Sequence, residues 1–273
     1  MTKKDQKIES KVIKSIQKRF NQVKASYQKY HNNPYKAEYI HRFRVDMRKM
    51  RALLNFLKPF LNKDIYETFN HSLRELGKKL SPLRDLDTVI EELSMLAEVE
   101  PNLVENYAEI FRHLEKERLK LVKSQSTKKA FKEYEGILEG AEAILNGLAF
   151  HFDSSHVDNF EENLEKRYQH KINKFEKEYD KLDITNYEAV HEVRKLAKKV
   201  RYTSVGFKKV LPKSVRKEMK KRAKKAQERL GEITDTHVII EILKIYKEKA
   251  KNEKVKGSLE EIITYYQEKS SIQ

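Results

Sequence analysis

The amino-acid sequence predicts an all-α protein built of mostly antiparallel helices. Charged residues make up 37% of its 273 residues and hydrophobic residues 38%, and the chain holds only 7 Gly and 5 Pro. This composition suits long amphipathic helices better than strands and tight turns. Apolar residues recur every three or four positions, and no long segment alternates with the period of two that a strand requires. A helical motif that occurs twice is the third observation.

Breaks in the apolar pattern divide the first half into six predicted helices. Pro34 separates the first two, Pro59 ends the second, and Asn62 is the predicted cap of the third. Ser81 is expected to cap the fourth helix, with Pro82 in its first turn. The predicted ranges are 5–30, 35–58, 62–80, 81–97, 102–125 and 128–148, with a cap in the segment 126–129 for the last.

The second half repeats this order after a predicted seam at 147–158. The seam carries a short polar run of His151, Asp153, Ser154 and Ser155. Gly231 is expected to stop a basic helix, since glycine is a poor helix former. The predicted helices cover 157–182, 187–211, 213–230, 235–251 and 258–269.

The net charge of +16 and the pI near 9.6 indicate a polyanionic partner. The absence of Cys excludes disulfides and thiolate metal sites, and suits a reducing compartment. Neither a signal peptide nor a run long enough to span a membrane is found in the sequence. We therefore expect a cytoplasmic protein with no membrane partner.

Two helical segments carry the same basic row beside the same apolar row. The segments read IHRFRVDMRKMR from residue 40 and VHEVRKLAKKVRY from residue 190. A cationic row that touches a buried row must lie at the rim of a cleft between packed helices. The rows are His41, Arg44, Arg48 and Arg51 in the first segment and His191, Arg194, Lys198 and Arg201 in the second.

The two segments are 150 residues apart, and this offset continues without a gap through the following helix. Asp85, for example, aligns with Asp235. A shared register over two helices and a turn indicates an internal duplication. We therefore predict one domain over 1–273 that consists of two helical repeats, 5–148 and 157–270.

The motifs HxxRxxxRKxR at 41–51 and HxxRxxxKKxRY at 191–202, with related turn elements at 76–85 and 226–235, resemble the CHAD (conserved histidine α-helical domain) family. The resemblance covers nearly the whole chain. It implies two helical bundles with pseudo-two-fold symmetry around a basic central groove, and binding of inorganic polyphosphate. Carried over by position, the binding residues are His41, Arg44, Arg48, Lys49 and Arg51, and His191, Arg194, Lys198, Lys199 and Arg201.

Residue chemistry points independently to the same class of ligand. Polyphosphate carries about one charge per phosphate and has no base to read, so a trough of converging Lys and Arg suits it. Basic residues that snorkel over apolar neighbours are the alternative explanation. Because the helix after the second motif is far more basic than the helix after the first, we expect the second repeat to bind more tightly. Further predicted contacts are Arg74, Tyr202, Lys217, Lys220, Lys221 and Lys224.

The motif helices lack the residues of a metal site or a catalytic site. Neither His41 nor His191 has a second His or a carboxylate one turn later, so no metal and no cofactor are expected. Each histidine is expected to donate a hydrogen bond to phosphate or to a neighbouring helix. Asp85 and Asp235 are expected to cap helices or pair with Arg. We predict a binding protein and not an enzyme.

Two other functions remain open. The same charge would suit a helical RNA-binding protein, although no zinc finger, RRM or KH motif is found. The chain could instead be an accessory or regulatory domain in the hydrolysis of polyphosphate or triphosphate. The expected partners are polyphosphate and polyphosphate-metabolising proteins, with nucleic acid only as a weaker, non-specific polyanion. The corresponding expected location is the cytoplasm, in association with polyphosphate granules.

Overall fold

The computed structural model describes residues 3–101, 103, 107–146 and 159–271, and within them it contains ten α-helices and no strand. The all-α prediction is confirmed. The predicted seam at 147–158, with its four polar residues, and the predicted helix start at residue 102 lie outside the described residues. The helices are α1 (Lys3–Asn32), α2 (Ala37–Leu57), α3 (Lys63–Lys79), α4 (Ser81–Val99), α5 (Tyr107–Gln125), α6 (Lys128–Asn146), α7 (Phe160–Asp180), α8 (Tyr187–Gly206), α9 (Lys213–Lys249) and α10 (Glu253–Ser271).

The helices enclose two hydrophobic cores. The large core is formed by α1, α2, α3, α6, α7, α8 and the first half of α9, and it includes Phe20, Phe43 and Phe175. The small core is formed by α4, α5, the second half of α9 and α10, and it includes Leu93 and Leu243. Consecutive helices joined by short loops pack against each other, as antiparallel neighbours do. Among the described helices, none combines the length and the apolar composition needed to cross a membrane.

Most of the predicted helix boundaries agree with the structure. The Asn62 side chain accepts hydrogen bonds from the backbone N–H of Asp64 and Ile65, at 2.9 and 3.3 Å, and so caps α3. Thr127 accepts from the N–H of Ala130 at 3.1 Å ahead of α6. The predicted cap at Ser81 is wrong, because Ser81 is itself helical and its hydroxyl donates to the Gly77 carbonyl at 3.1 Å.

The predicted stop at Gly231 is also wrong. Helix α9 runs without interruption from Lys213 to Lys249 and replaces the two predicted helices 213–230 and 235–251. In the first repeat, Pro82 lies at the break between α3 and α4, whereas the aligned residue 232 is Glu. A single glycine costs only about 1 kcal/mol in a helix, so it does not end α9.

Helix α8 ends at Gly206 and not at residue 211 as predicted. A Cβ atom at position 206 would collide with the side chain of Leu53 in α2, so glycine is what permits this close approach. Phe207 and Leu211 follow in a turn and are buried in the large core. Helices α2 and α8 therefore pack against each other and bring the two motif segments together.

The helix bounds share the offset found in the sequence. Adding 150 to the bounds of α2 gives 187–207, against Tyr187–Gly206 for α8. The same addition to the start of α3 and the end of α4 gives the two ends of α9. Helix α6 has no such counterpart among the described residues. The organisation into two repeats, 5–148 and 157–270, stays a prediction.

Candidate anion-binding site

A basic cavity lies between α2 and α3, and we call it the motif cavity. Its volume is about 200 Å³, and Met47 and Leu73 contribute apolar surface. No carboxylate is found among its described lining residues. The motif cavity is thus a concave surface of positive charge. Its cations are Arg44, Arg48, Arg51, Arg74 and Lys78.

Arg44 is a half-buried cation of the motif cavity. Burial and the nearby charge of Arg48 lower its pKa to about 10, against the opposing effect of Asp85. Its Nη1 donates to the Gly77 carbonyl at 3.3 Å. Its Nε is buried and has no hydrogen-bond partner in the described part of the chain. Arg44 makes no ion pair with a carboxylate among the described residues, so its charge is not compensated by a direct contact.

Arg51 stands one turn beyond Arg48 and is oriented by its neighbour in α3. Its Nε donates to Asn70 Oδ1 at 3.1 Å. Burial and the nearby charge of Arg74 lower its pKa. Neighbouring positive charges that lower one another's pKa values favour binding of a negative ligand.

His41 lies at the α4 side of the same basic row. Arg84 Nε donates to His41 Nδ1 at 2.8 Å, so this ring nitrogen accepts a hydrogen bond. Burial, Arg84 and Arg48 all lower the pKa of His41. The ring is therefore neutral at neutral pH and carries its proton on Nε2. The hydrogen bond that His41 was expected to donate can therefore come only from Nε2.

Arg48 connects the first motif segment to the second. Its charge acts on His41, on Arg44 and on Lys198 of α8. Burial, together with the charges of Arg194 and Arg48, lowers the pKa of Lys198 to about 8. The two basic rows therefore converge at Arg48 and Lys198.

Arg194 aligns with Arg44, but its charge is neutralised. Its Nη1 and Nη2 donate to the two carboxylate oxygens of Asp235 at 2.8 and 3.0 Å. Nη1 also donates to the Thr234 hydroxyl, and the guanidinium group packs over Gly231. This bidentate geometry is the strongest form of an Arg–carboxylate pair. Asp235 thus has the Arg-pairing role expected of it.

The cavity beside Arg194 differs in charge from the motif cavity. It has a volume of about 530 Å³ and is lined by Glu92, Glu228, Glu232 and Asp235 together with Lys269. Gly77 and Lys78 of the motif cavity align with Gln227 and Glu228 here. The cavities at the two aligned positions therefore differ: the one beside α2 is basic, and the one beside α8 is mixed, with an excess of acids.

The other predicted contacts are distributed over several surfaces. Lys49 donates to Asp46 at 3.3 Å, and Arg201 donates to Gln227 at 2.9 Å. The ring of His191 stacks on Tyr187 with a centroid distance of 6.2 Å, and burial and Lys195 lower its pKa. None of these residues lines the motif cavity.

The remaining predicted residues also lie away from the motif cavity. Tyr202 is close to Arg19 of α1, and Lys199 is close to Lys171 of α7. Lys224 pairs with Glu228 at 3.3 Å. Three further lysines are exposed on the first half of α9, namely Lys217, Lys220 and Lys221.

Two cations of the site were missed in the sequence. Lys78 follows Arg74 by four residues and so shares its helix face, a spacing from which it could have been found. Arg84 lies in α4, and only the fold brings it to His41. No group of three His, Cys, Asp or Glu side chains is arranged as a metal site in the described part of the chain.

Comparison with known proteins agrees with this architecture. The family model for the CHAD domain matches residues 14–244. PptA from Streptomyces chartreusis has a similar structure, with a TM-score of 0.71 and 12% identity over 96% of this chain and 95% of that one. The CHAD domain from the plant Ricinus communis gives a TM-score of 0.70 and 15% identity over 97% of this chain and 86% of that one. The search of curated proteins finds no match.

Proposed function

Because this chain belongs to the CHAD domain family, we propose that it binds inorganic polyphosphate in the motif cavity and along the adjoining surface of α8. The observation that carries this proposal is the convergence of five cations on a cavity whose described lining contains no carboxylate. The five cations repel one another in the free protein, which is unfavourable. A bound polyanion would neutralise them and remove this repulsion.

The geometry favours a chain of phosphates over a single one. In the motif cavity Arg44 and Arg51 are half-buried, and Arg48 and Arg74 are exposed. Lys198 continues the positive surface onto the second motif helix. Successive phosphates of one chain would contact these groups in turn, each through charge-assisted hydrogen bonds.

The proposed role is binding without catalysis. Hydrolysis of a phosphoanhydride needs an activated water or nucleophile. The lining of the motif cavity offers Ser81 as its one hydroxyl among the described residues, and that hydroxyl donates to Gly77. We expect no release of orthophosphate when the protein is incubated with polyphosphate. Polyphosphate-metabolising enzymes and cytoplasmic polyphosphate granules are the corresponding proposed partners and location.

The test is calorimetric titration of the purified chain with tripolyphosphate and with long-chain polyphosphate. The variant Arg48→Gln/Arg74→Gln removes two exposed cations of the motif cavity and should weaken long-chain binding by about tenfold or more. The matched control is Arg42→Gln/Arg229→Gln, which removes two exposed arginines outside the cavity. We expect the control to lose much less affinity.

Two outcomes would contradict the proposal. One is the absence of binding to polyphosphate of any length. The other is displacement of polyphosphate by RNA at equal or lower phosphate concentration, which would favour the RNA-binding alternative.

A further inference from the structure

A second basic cavity lies between α1 and the end of α8, away from the motif cavity. We call it the α1 cavity. Its volume is about 500 Å³, and no carboxylate is found among its described lining residues. Its cations are Lys11, Lys14, Lys18, Arg19, Lys208 and Lys209. Neither the repeated motif nor the predicted contacts include any of them.

Lysines of α1 differ according to the face on which they lie. Lys4 pairs with Glu161 at 2.7 Å, and Lys24 pairs with Glu142 at 2.6 Å. The three lysines that line the α1 cavity follow a spacing of three and four residues, so they share one face. Among the described residues no ion pair is found for them or for Lys208 and Lys209. The face toward the cavity is thus left with uncompensated charge.

Contacts connect the two basic cavities. Lys198, which converges with Arg48, lies one turn before Tyr202 on α8, and Tyr202 is close to Arg19. Arg19 lies 3.6 Å from Asp46, a buried carboxylate that also binds Lys49 at 3.3 Å. A line of polar and charged groups, which includes the buried carboxylate of Asp46, therefore runs from the motif cavity to the α1 cavity.

From these observations we infer that the α1 cavity is a second anion site, which binds a distal segment of the same condensed phosphate chain. The inference rests on the proposed function. A chain long enough to reach both cavities would contact α1, whereas a short one would occupy the motif cavity alone. The α1 cavity then provides the preference for long chains.

The test compares two quadruple alanine variants that lose the same charge. One replaces Lys14, Lys18, Lys208 and Lys209 in the α1 cavity. The control replaces Lys244, Lys247, Lys254 and Lys256 around the small core. We expect the first variant to lose about tenfold or more in affinity for long-chain polyphosphate, with a salt dependence weaker by about one unit of slope per lysine. Its affinity for tripolyphosphate should stay close to that of the control variant.

Lysine acylation in the unsubstituted protein supplies a second measurement that does not depend on the folding of a variant. Long-chain polyphosphate should protect Lys14, Lys18, Lys208 and Lys209, and tripolyphosphate should not. Equal loss of long-chain affinity in the two variants, or no protection, would overturn the α1 site while leaving the motif cavity intact. If the unsubstituted protein bound neither ligand, both the proposed function and this inference would be wrong.

Discussion

Arg44 and Arg194 occupy aligned positions and have different electrostatic surroundings. Arg194 is held by both oxygens of Asp235, whereas Arg44 donates to the Gly77 carbonyl and makes no ion pair among the described residues. The sequence predicted tighter binding by the second repeat because of the lysines of α9. Those lysines lie outside the cavity beside Arg194. We therefore propose the opposite asymmetry, with tighter binding by the first repeat, and both asymmetries stay predictions.

Substitution of these two arginines tests that reversal. Arg44→Gln should lower the affinity for polyphosphate by about tenfold, because it removes a charge that is available to the ligand. Arg194→Gln should lower it by less than about threefold, because its charge is already compensated. Calorimetry measures both affinities, with circular dichroism as the folding control. A larger loss of affinity in Arg194→Gln than in Arg44→Gln would instead support the sequence-based expectation that the second repeat binds more tightly.

Lys198 predicts a pH dependence of binding. Its pKa of about 8 in the free protein results from burial and from Arg194 and Arg48, against the opposing charge of Asp235. A bound anion favours the charged amine, so affinity should fall as the pH rises from 7 to 9. Lys198→Arg should flatten this fall, because arginine stays charged throughout the range. Calorimetric titrations between pH 7 and 9 measure this fall. An equally steep decrease of affinity with pH in the unsubstituted protein and in Lys198→Arg would contradict the prediction.

Lys198 also affects the free energy of unfolding, which changes with pH in the opposite direction to the affinity. Its pKa is lower in the folded chain than in the unfolded chain, where it is about 10.4. Between these two values the unfolded state binds more protons. The contribution of Lys198 to the free energy of unfolding therefore rises with pH from about 8 upward.

At the scale of the helices, α9 is the element that departs most from the sequence-based prediction. Its continuity depends on residue 232, which is Glu where the first repeat has Pro82. Glu232→Pro should interrupt α9 and lower the free energy of unfolding by about 3 kcal/mol or more, because proline removes a backbone donor and clashes with the preceding turn. Urea unfolding measures this loss.

The matched control for that experiment is Glu232→Ala, which keeps the backbone hydrogen bond and raises helix propensity. It should change the free energy of unfolding by less than about 0.5 kcal/mol. If the proline and alanine variants were equally stable, the continuity of α9 would not matter to the fold.

Much of the fold was predictable because its determinants are local. Pro59 and Asn62 act within a few residues, and they placed helix ends correctly. The position of each basic row beside a buried apolar row also followed from spacing. The pairing of Arg194 with Asp235, 41 residues away, depends on the packing of α8 against α9 and could not be read from local patterns.

For the whole molecule, the net charge of +16 predicts that binding depends strongly on salt. Neutralising the five cations of the motif cavity and Lys198 releases counterions, so these contacts alone should make the logarithm of affinity fall by about four for each tenfold rise in salt. The lysines of the α1 cavity should add to this slope for a long chain. Titrations at several sodium chloride concentrations measure this slope. An affinity that barely changes between low and high salt would contradict the prediction.

The length of α9 has a mechanical consequence for the molecule. At about 1.5 Å per residue, its 37 residues form a rod of about 55 Å, and its two halves belong to different cores. Neither core can lose its half of the rod without exposing apolar surface and weakening the hold on the other half. We therefore expect the two cores to unfold together in a single cooperative transition.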